Sequence, residues 1–409
     1  MKQLKLAIIF VFIGLGVFVL NQHFSVSNAQ TVEYKWDLPK GFPVPNVPSE
    51  NPMTEAKVEL GRHLFYDKRL SINEKTSCAT CHLQEKAFTE DKKTSVGTTG
   101  EIHPRNSMTL ANVAYNPSFN WANSAVNSLE RHHLLPMFGT NPIIEMGMEG
   151  KEALMLERVK AEPVYEKLFA AAYPNDKEKI TLNHITLAIA SFVRSMVSGN
   201  SPYDKYRYQK QPDAISESAK RGEKLFFSER MECFDCHAGF NLSGTTNFVG
   251  KSNESAQFEN NGLYNIDGKG AYPAENVGLF EITNNKEDMG KFKVPTLRNI
   301  ELTAPYMHDG SIDSLEDVIE HYKAGGRTIA EGKYAGKGSE NPYKSSFVNG
   351  FRLSAEEKQD LIEFLKSLTD KDFITNPKFS DPWAKNEREF SRTSLKNRSL
   401  EVLRNKQRK

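Results

Sequence analysis

Apolar residues are spaced along this chain in patterns that predict helices at several places. Between Thr181 and Ser198 they recur at Leu182, Ile185, Ile189, Phe192, Val193 and Met196. That spacing lines one face of a helix, and Gly199 follows at a usual stop position. Ser354-x-x-Glu357 forms a capping box ahead of Leu361, Phe364, Leu365 and Leu368, which predicts a matching helix near the other end. Leu315, Val318, Ile319 and Tyr322 share a third helical face. A further pattern, Gly-x-x-Leu-Phe-aromatic-x-x-Arg, occurs twice, from Gly61 to Arg69 and from Gly222 to Arg230. Two copies predict two related helical units, since a solenoid needs at least three repeats. Gly239 to Gly290 is rich in Gly, Asn and Ser and reads as long loops with a short hairpin.

The chain ends carry different signals. Lys2 and Lys5 precede an apolar run from Leu6 to Leu20, and Ser27-Asn28-Ala29 offers the small residues of a signal-peptidase site. Residues 1–29 therefore read as a cleaved signal peptide. The competing reading is an uncleaved anchor, because the run falls just short of the roughly 18 to 20 residues of a spanning helix. No cysteine precedes Cys78, which excludes a lipoprotein anchor. At the other end, Lys385 to Lys409 carries nine Lys or Arg against three Glu and reads as a flexible basic tail. The net charge of +1 argues against nucleic acid as a partner.

All four cysteines lie in two copies of Cys-x-x-Cys-His: Cys78, Cys81 and His82, then Cys233, Cys236 and His237. This motif implies two covalent haem c groups, each bound through two thioethers with the adjacent His as an axial ligand. A redox dithiol needs no following His, and a zinc ribbon does not separate its pairs by roughly 150 residues. Covalent haem attachment takes place outside the cytoplasm, in agreement with the N-terminus. The expected fold class is mainly α: two cytochrome c-like helical domains, each with one covalently bound haem, and long irregular loops. The expected boundaries are 30–205 and 206–375, with the basic tail from 376 to 409.

From about Leu38 to Trp383 the chain resembles the bacterial di-haem cytochrome c peroxidase and MauG superfamily. The resemblance is carried by Lys293-Val294-Pro295-Thr296-Leu297-Arg298-Asn299, by Thr303-Ala304-Pro305-Tyr306-Met307-His308-Asp309-Gly310 and by Glu145-Met146-Gly147. Gly61-Arg62-His63-Leu64-Phe65-Tyr66-Asp67 and the run from His103 to Tyr115 are most similar to the MbnH-type branch. Phe379-Ser380-Asp381-Pro382-Trp383 is also similar, though short and expected to be exposed.

The resemblance implies a periplasmic enzyme in which hydrogen peroxide reacts at the His82 haem. Glu145 matches the family's catalytic carboxylate, which moves a proton between the peroxide oxygens. His132 stands where the family has a Gln, and the segment from Pro136 to Glu145 is three residues longer than usual. The family's removable distal His has no match in spacing. His103 is the only His in that stretch, either an iron ligand or a loop cap, and without it the first iron is five-coordinate. Trp121 matches the tryptophan that bridges the haems; as a residue alone it is equally a packing side chain. Tyr322 matches the second axial ligand of MauG-type enzymes, where classical peroxidases have Met. A core tyrosine is the plain alternative, and Met307 is the next candidate ligand. A structural calcium between the haems maps to Asn112, Thr303 and Pro305. The implied outcome is a high-valent di-haem state that oxidises a residue of a periplasmic partner, tryptophan to kynurenine on a copper-binding MbnP-like protein. The alternative is a classical peroxidase fed by a small electron-donor protein, a cytochrome or cupredoxin. A non-catalytic electron carrier is the reading from another class.

Overall fold

The computed structural model describes residues 34–384 except Asn253, and these lie in one compact unit. The segment expected to be a signal peptide and the basic run from Lys385 fall outside the described residues. The described chain is mainly helical, with only two-residue strands in two antiparallel pairs.

Two helix pairs explain the repeated glycine motif. Helix α1 (Glu55–Tyr66) packs on α2 (Leu182–Arg194), and α3 (Glu217–Phe226) packs on α5 (Ala355–Lys366), with α4 (Leu315–Lys323) lying between α3 and α5 in sequence. A Cβ built on Gly61 would lie 1.9 Å from the Ala188 carbonyl oxygen, and one on Gly222 would lie 2.0 Å from that of Asp360. Each helix therefore crosses its partner backbone to backbone at its glycine, which is why the motif holds Gly there and apolar residues a turn later. Leu60, Leu64, Phe65, Ile185, Ile189 and Phe192 fill one core, and Phe226, Ile319, Leu361, Phe364 and Leu368 fill a second.

Local signals set the helix starts. Thr181 caps α2 by accepting from the His184 N–H, and Ser354 with Glu357 completes the expected capping box on α5. The end of α2 differs from expectation: it stops at Arg194, well before Gly199. Tertiary acceptors draw the following backbone away from the helix. Asn112 Oδ1 takes the Ser198 N–H at 2.7 Å, and Asp370 Oδ2 takes those of Gly199 and Asn200, both at 2.9 Å.

The segment Gly239 to Gly290 is largely irregular, as expected, but its strand does not form a tight hairpin. Strand β1 (Phe258–Glu259) pairs with the distant β2 (Phe292–Lys293), while β3 (Thr328–Ile329) pairs with β4 (Gly336–Lys337). The closing run corrects the expectation of exposure. Phe373 and Phe379 are buried in the first core. Trp383 Nε1 donates to the His63 carbonyl at 3.0 Å, and Tyr66 Oη donates to that of Phe379 at 2.7 Å. The chain thus returns to α1 after the second haem motif, and the docked segment extends through Trp383.

Candidate haem and peroxide site

Each Cys-x-x-Cys-His motif forms a single tight turn beside a cavity. Ser77 and Thr80 form a capping box around the turn Cys78–Cys81, and the His82 N–H closes it on the Cys78 carbonyl at 3.1 Å. The His237 N–H does the same on Cys233 at 2.9 Å. Cys81 and His82 line one cavity; Cys233, Cys236 and His237 line another. All four thiols are unpaired. Burial pushes Cys78, Cys233 and Cys236 up to about 12 and Cys81 to about 11. Such thiols are not the activated thiolates of a redox dithiol.

Both histidines fit an axial role. His82 Nδ1 lies 2.7 Å from the Phe88 carbonyl and His237 Nδ1 lies 3.3 Å from that of Leu242, which leaves each Nε2 as the ligating nitrogen. Burial lowers both imidazoles, His237 to about 4, so each is in the neutral, metal-binding form.

Around the first cavity stand Glu145, His132 and His103. Glu145 is held by its backbone: the Thr98 N–H donates to its carbonyl at 3.0 Å, and the neighbouring Met146 N–H donates to Pro136 at 3.0 Å. Gly147 follows at φ +72°, where a Cβ would meet Ile72 at 2.7 Å. The Glu-Met-Gly sequence is therefore a turn that only glycine completes, with the carboxylate set before it. The exposed part of the Glu145 side chain, 40% of its surface, belongs to a residue that lines this cavity, and burial raises its carboxyl to about 7. His103 Nε2 lies 3.8 Å from Glu145 Oε1, while its Nδ1 is 3.0 Å from the Arg105 N–H, so His103 does cap its loop. His132 shares the cavity with Glu145. Its Nδ1 is buried without a hydrogen bond, and burial, with the nearby His82, lowers the imidazole to about 4.

Trp121 lines both cavities, and its indole N–H donates to the Asn106 carbonyl at 2.8 Å. In the second cavity Tyr322 lines the same space as His237. Burial raises its phenol to about 12, opposed by a hydrogen bond from Asn261. The Asn261 amide also meets Met307 Sδ at 3.2 Å, so the thioether of the rival ligand is already engaged.

The calcium expectation needs a correction. Thr303 and Pro305 line the first cavity, but Asn112 does not, and its amide is bonded at both ends to the Ser198 backbone. Asn106 is one of the asparagines that do face this space. It lines that cavity, its Nδ2 donates to the Lys92 and Lys93 carbonyls at 3.1 Å, and its Oδ1 takes no hydrogen bond among the described residues. Arg298 and Asn299 of the Lys-Val-Pro-Thr-Leu-Arg-Asn segment are structural. Arg298 forms a fully buried ion pair with Asp204 at 2.8 Å, and Asn299 Nδ2 donates to Ser198 at 3.0 Å.

Two cavities, each beside a Cys-x-x-Cys-His turn whose histidine leaves Nε2 to bind iron, define a di-haem c-type oxidoreductase. Comparisons with known proteins place it further. The family model for di-haem cytochrome c peroxidase matches residues 55–212. Cytochrome-c peroxidase IdrP1 of Pseudomonas sp. (strain SCT) is 34% identical over 341 residues, 80% of this chain and 84% of that protein. Methylamine utilization protein MauG of Methylorubrum extorquens is 33% identical over 323 residues, covering 78% and 80%. The crystal structure of a MauG-like protein associated with microbial copper homeostasis is 48% identical, with a TM-score of 0.82 over 86% of this chain and 99% of that one. The chain belongs to the di-haem cytochrome c peroxidase/MauG family.

Among the described residues no helix is long and apolar enough to cross a membrane.

Proposed function

We propose that this protein is a periplasmic enzyme that uses hydrogen peroxide to place two oxidising equivalents on its haem pair and then oxidises a partner protein. The residue oxidised is a tryptophan, taken towards kynurenine on a copper-binding partner. The observation that carries this reading is Tyr322, a buried phenol sharing the second cavity with His237 while Met307 is held by Asn261. A phenolate donates charge to iron and favours its higher oxidation states, whereas a thioether does the reverse. The class of partner is supported by the 48% likeness to a protein associated with copper homeostasis. Export is supported by the covalent haem motifs.

The haems supply the redox centres. The residues around them supply the proton chemistry. A haem held by Cys78, Cys81 and His82 would supply the centre that reacts with peroxide, and Glu145, on the wall of the same cavity, would move a proton from one peroxide oxygen to the other so that water leaves. A carboxyl near 7 gives and takes protons well at neutral pH. Neutral His132 completes the polar wall, and Trp121 provides an indole that borders both cavities. Calcium is supported by the free Asn106 Oδ1 and the Thr303 and Pro305 carbonyls, a hard-oxygen set.

The test is stoichiometric peroxide added to the ferric protein with no electron donor, followed in the visible and near-infrared. A persistent two-haem change with a near-infrared band, and a partner tryptophan altered by mass spectrometry, are expected. No reaction until one haem is reduced would overturn the reading in favour of a classical peroxidase.

A further inference from the structure

Among the described residues Lys293 has no counterpart for its charge. It is 6% exposed and lines both haem cavities, directly beside Trp121, whose carbonyl accepts the Lys293 N–H at 2.8 Å. The other cations around the cavities are paired. Arg105 is held by Glu281 at 2.5 Å and by Asn276 at 3.1 Å, and Arg230 by Glu357 at 2.7 Å. The Lys293 ammonium meets no carboxylate and no hydrogen-bond acceptor among the described residues. Burial alone pulls it down to about 8, with no acidic neighbour acting against that pull. A buried, unpaired ammonium is costly, so it is retained where another component brings the negative charge.

We propose that Lys293 is the counter-ion of the haem propionates where the two cavities meet. Haem carries propionate carboxylates at one edge, and Lys293 is the unpaired cation that borders both haem sites. The pairing would position each cofactor edge near Trp121 and hold a positive charge at that edge of both haems. Lys293 is thus a positioning residue. Its sequence context explains the placement: strand β2 ends at Lys293, and the pairing of Phe258 with Lys293 fixes which way that backbone faces. The inference rests on the two-haem assignment and not on the identity of the protein substrate.

The test compares K293M and K293R with the wild-type holoprotein by spectroelectrochemical titration and by the ferric spectrum, with neither peroxide nor partner present. A positive charge near iron favours the reduced state, so its removal favours the ferric state. At a fixed potential K293M should raise the ferric-to-ferrous ratio of one or both haems about tenfold, equivalent to about 59 mV for one electron. K293R should restore the wild-type ratio. Unchanged potentials in K293M would overturn the proposal. Equal shifts in K293M and K293R would also overturn it, by assigning a packing role. A change in iron spin state would overturn it by making Lys293 an iron ligand. If K293M does not retain haem, retention by K293R supports the charge role, and failure of both refutes it. Because no readout involves turnover, failure of the kynurenine reading leaves this result standing.

Discussion

Replacing Glu145 by Gln removes the carboxylate and keeps its shape, so it separates proton transfer from packing. The structure sets the size of the effect in advance. With a carboxyl near 7, Glu145 is roughly one-tenth ionised at about pH 6 and roughly nine-tenths at about pH 8, so the rate of peroxide reaction should rise about tenfold between them. A carboxyl at its ordinary value would give a flat profile over that range. Stopped-flow mixing of ferric protein with peroxide from about pH 5.5 to 8.5 measures this directly. Glu145→Gln should lower the rate about 10²- to 10⁴-fold and remove the pH dependence. The stability sign runs the opposite way. The folded state holds this proton more tightly than the unfolded state, so Glu145's contribution to stability falls as pH rises from about 4.5 to about 7. A wild-type rate in Glu145→Gln, or a wild-type profile flat down to pH 6, would refute the assignment.

Gly61→Ala should destabilise the holoprotein by about 1–3 kcal/mol in denaturant unfolding, because a Cβ 1.9 Å from the Ala188 oxygen forces α1 and α2 apart. Helix propensity alone predicts a gain of about 1 kcal/mol, so the sign of the change decides the matter. Tyr322→Met should leave both haems attached, as judged by haem stain and mass, but abolish the persistent two-haem spectrum after peroxide; an unchanged spectrum would remove Tyr322 from the iron. Asn106→Ala should weaken calcium retention, read by metal analysis after chelation, about 10- to 100-fold more than Asn112→Leu does in protein that still folds; equal losses would return the site to Asn112.

The haem chemistry was legible in the sequence because it is local: a five-residue motif brings both thiols and the histidine to one turn. Helix starts were legible for the same reason, since Thr181, Ser354 and Glu357 act within a single turn. The repeated Gly-x-x-Leu-Phe pattern identified two related units, but only the structure showed that each glycine marks a helix crossing. Where the sequence reading failed, partners distant in the chain decided the outcome. Helix α2 ends early because Asn112 and Asp370 capture the backbone after it, and that same capture occupies the Asn112 amide that was expected to hold calcium. Phe379 and Trp383 looked exposed in a polar closing run, yet α1, more than 300 residues away, donates through Tyr66 to the Phe379 carbonyl and accepts the Trp383 indole N–H at His63, so Phe379 is buried and Trp383 partly buried. The burial that raises Glu145 was expected from the role its motif implies, whereas the environment of Lys293 was invisible, because unpaired charge belongs to a cavity wall assembled from many segments. Covalent motifs and caps are properties of neighbouring residues; desolvation and positioning arise only when the chain closes around a site.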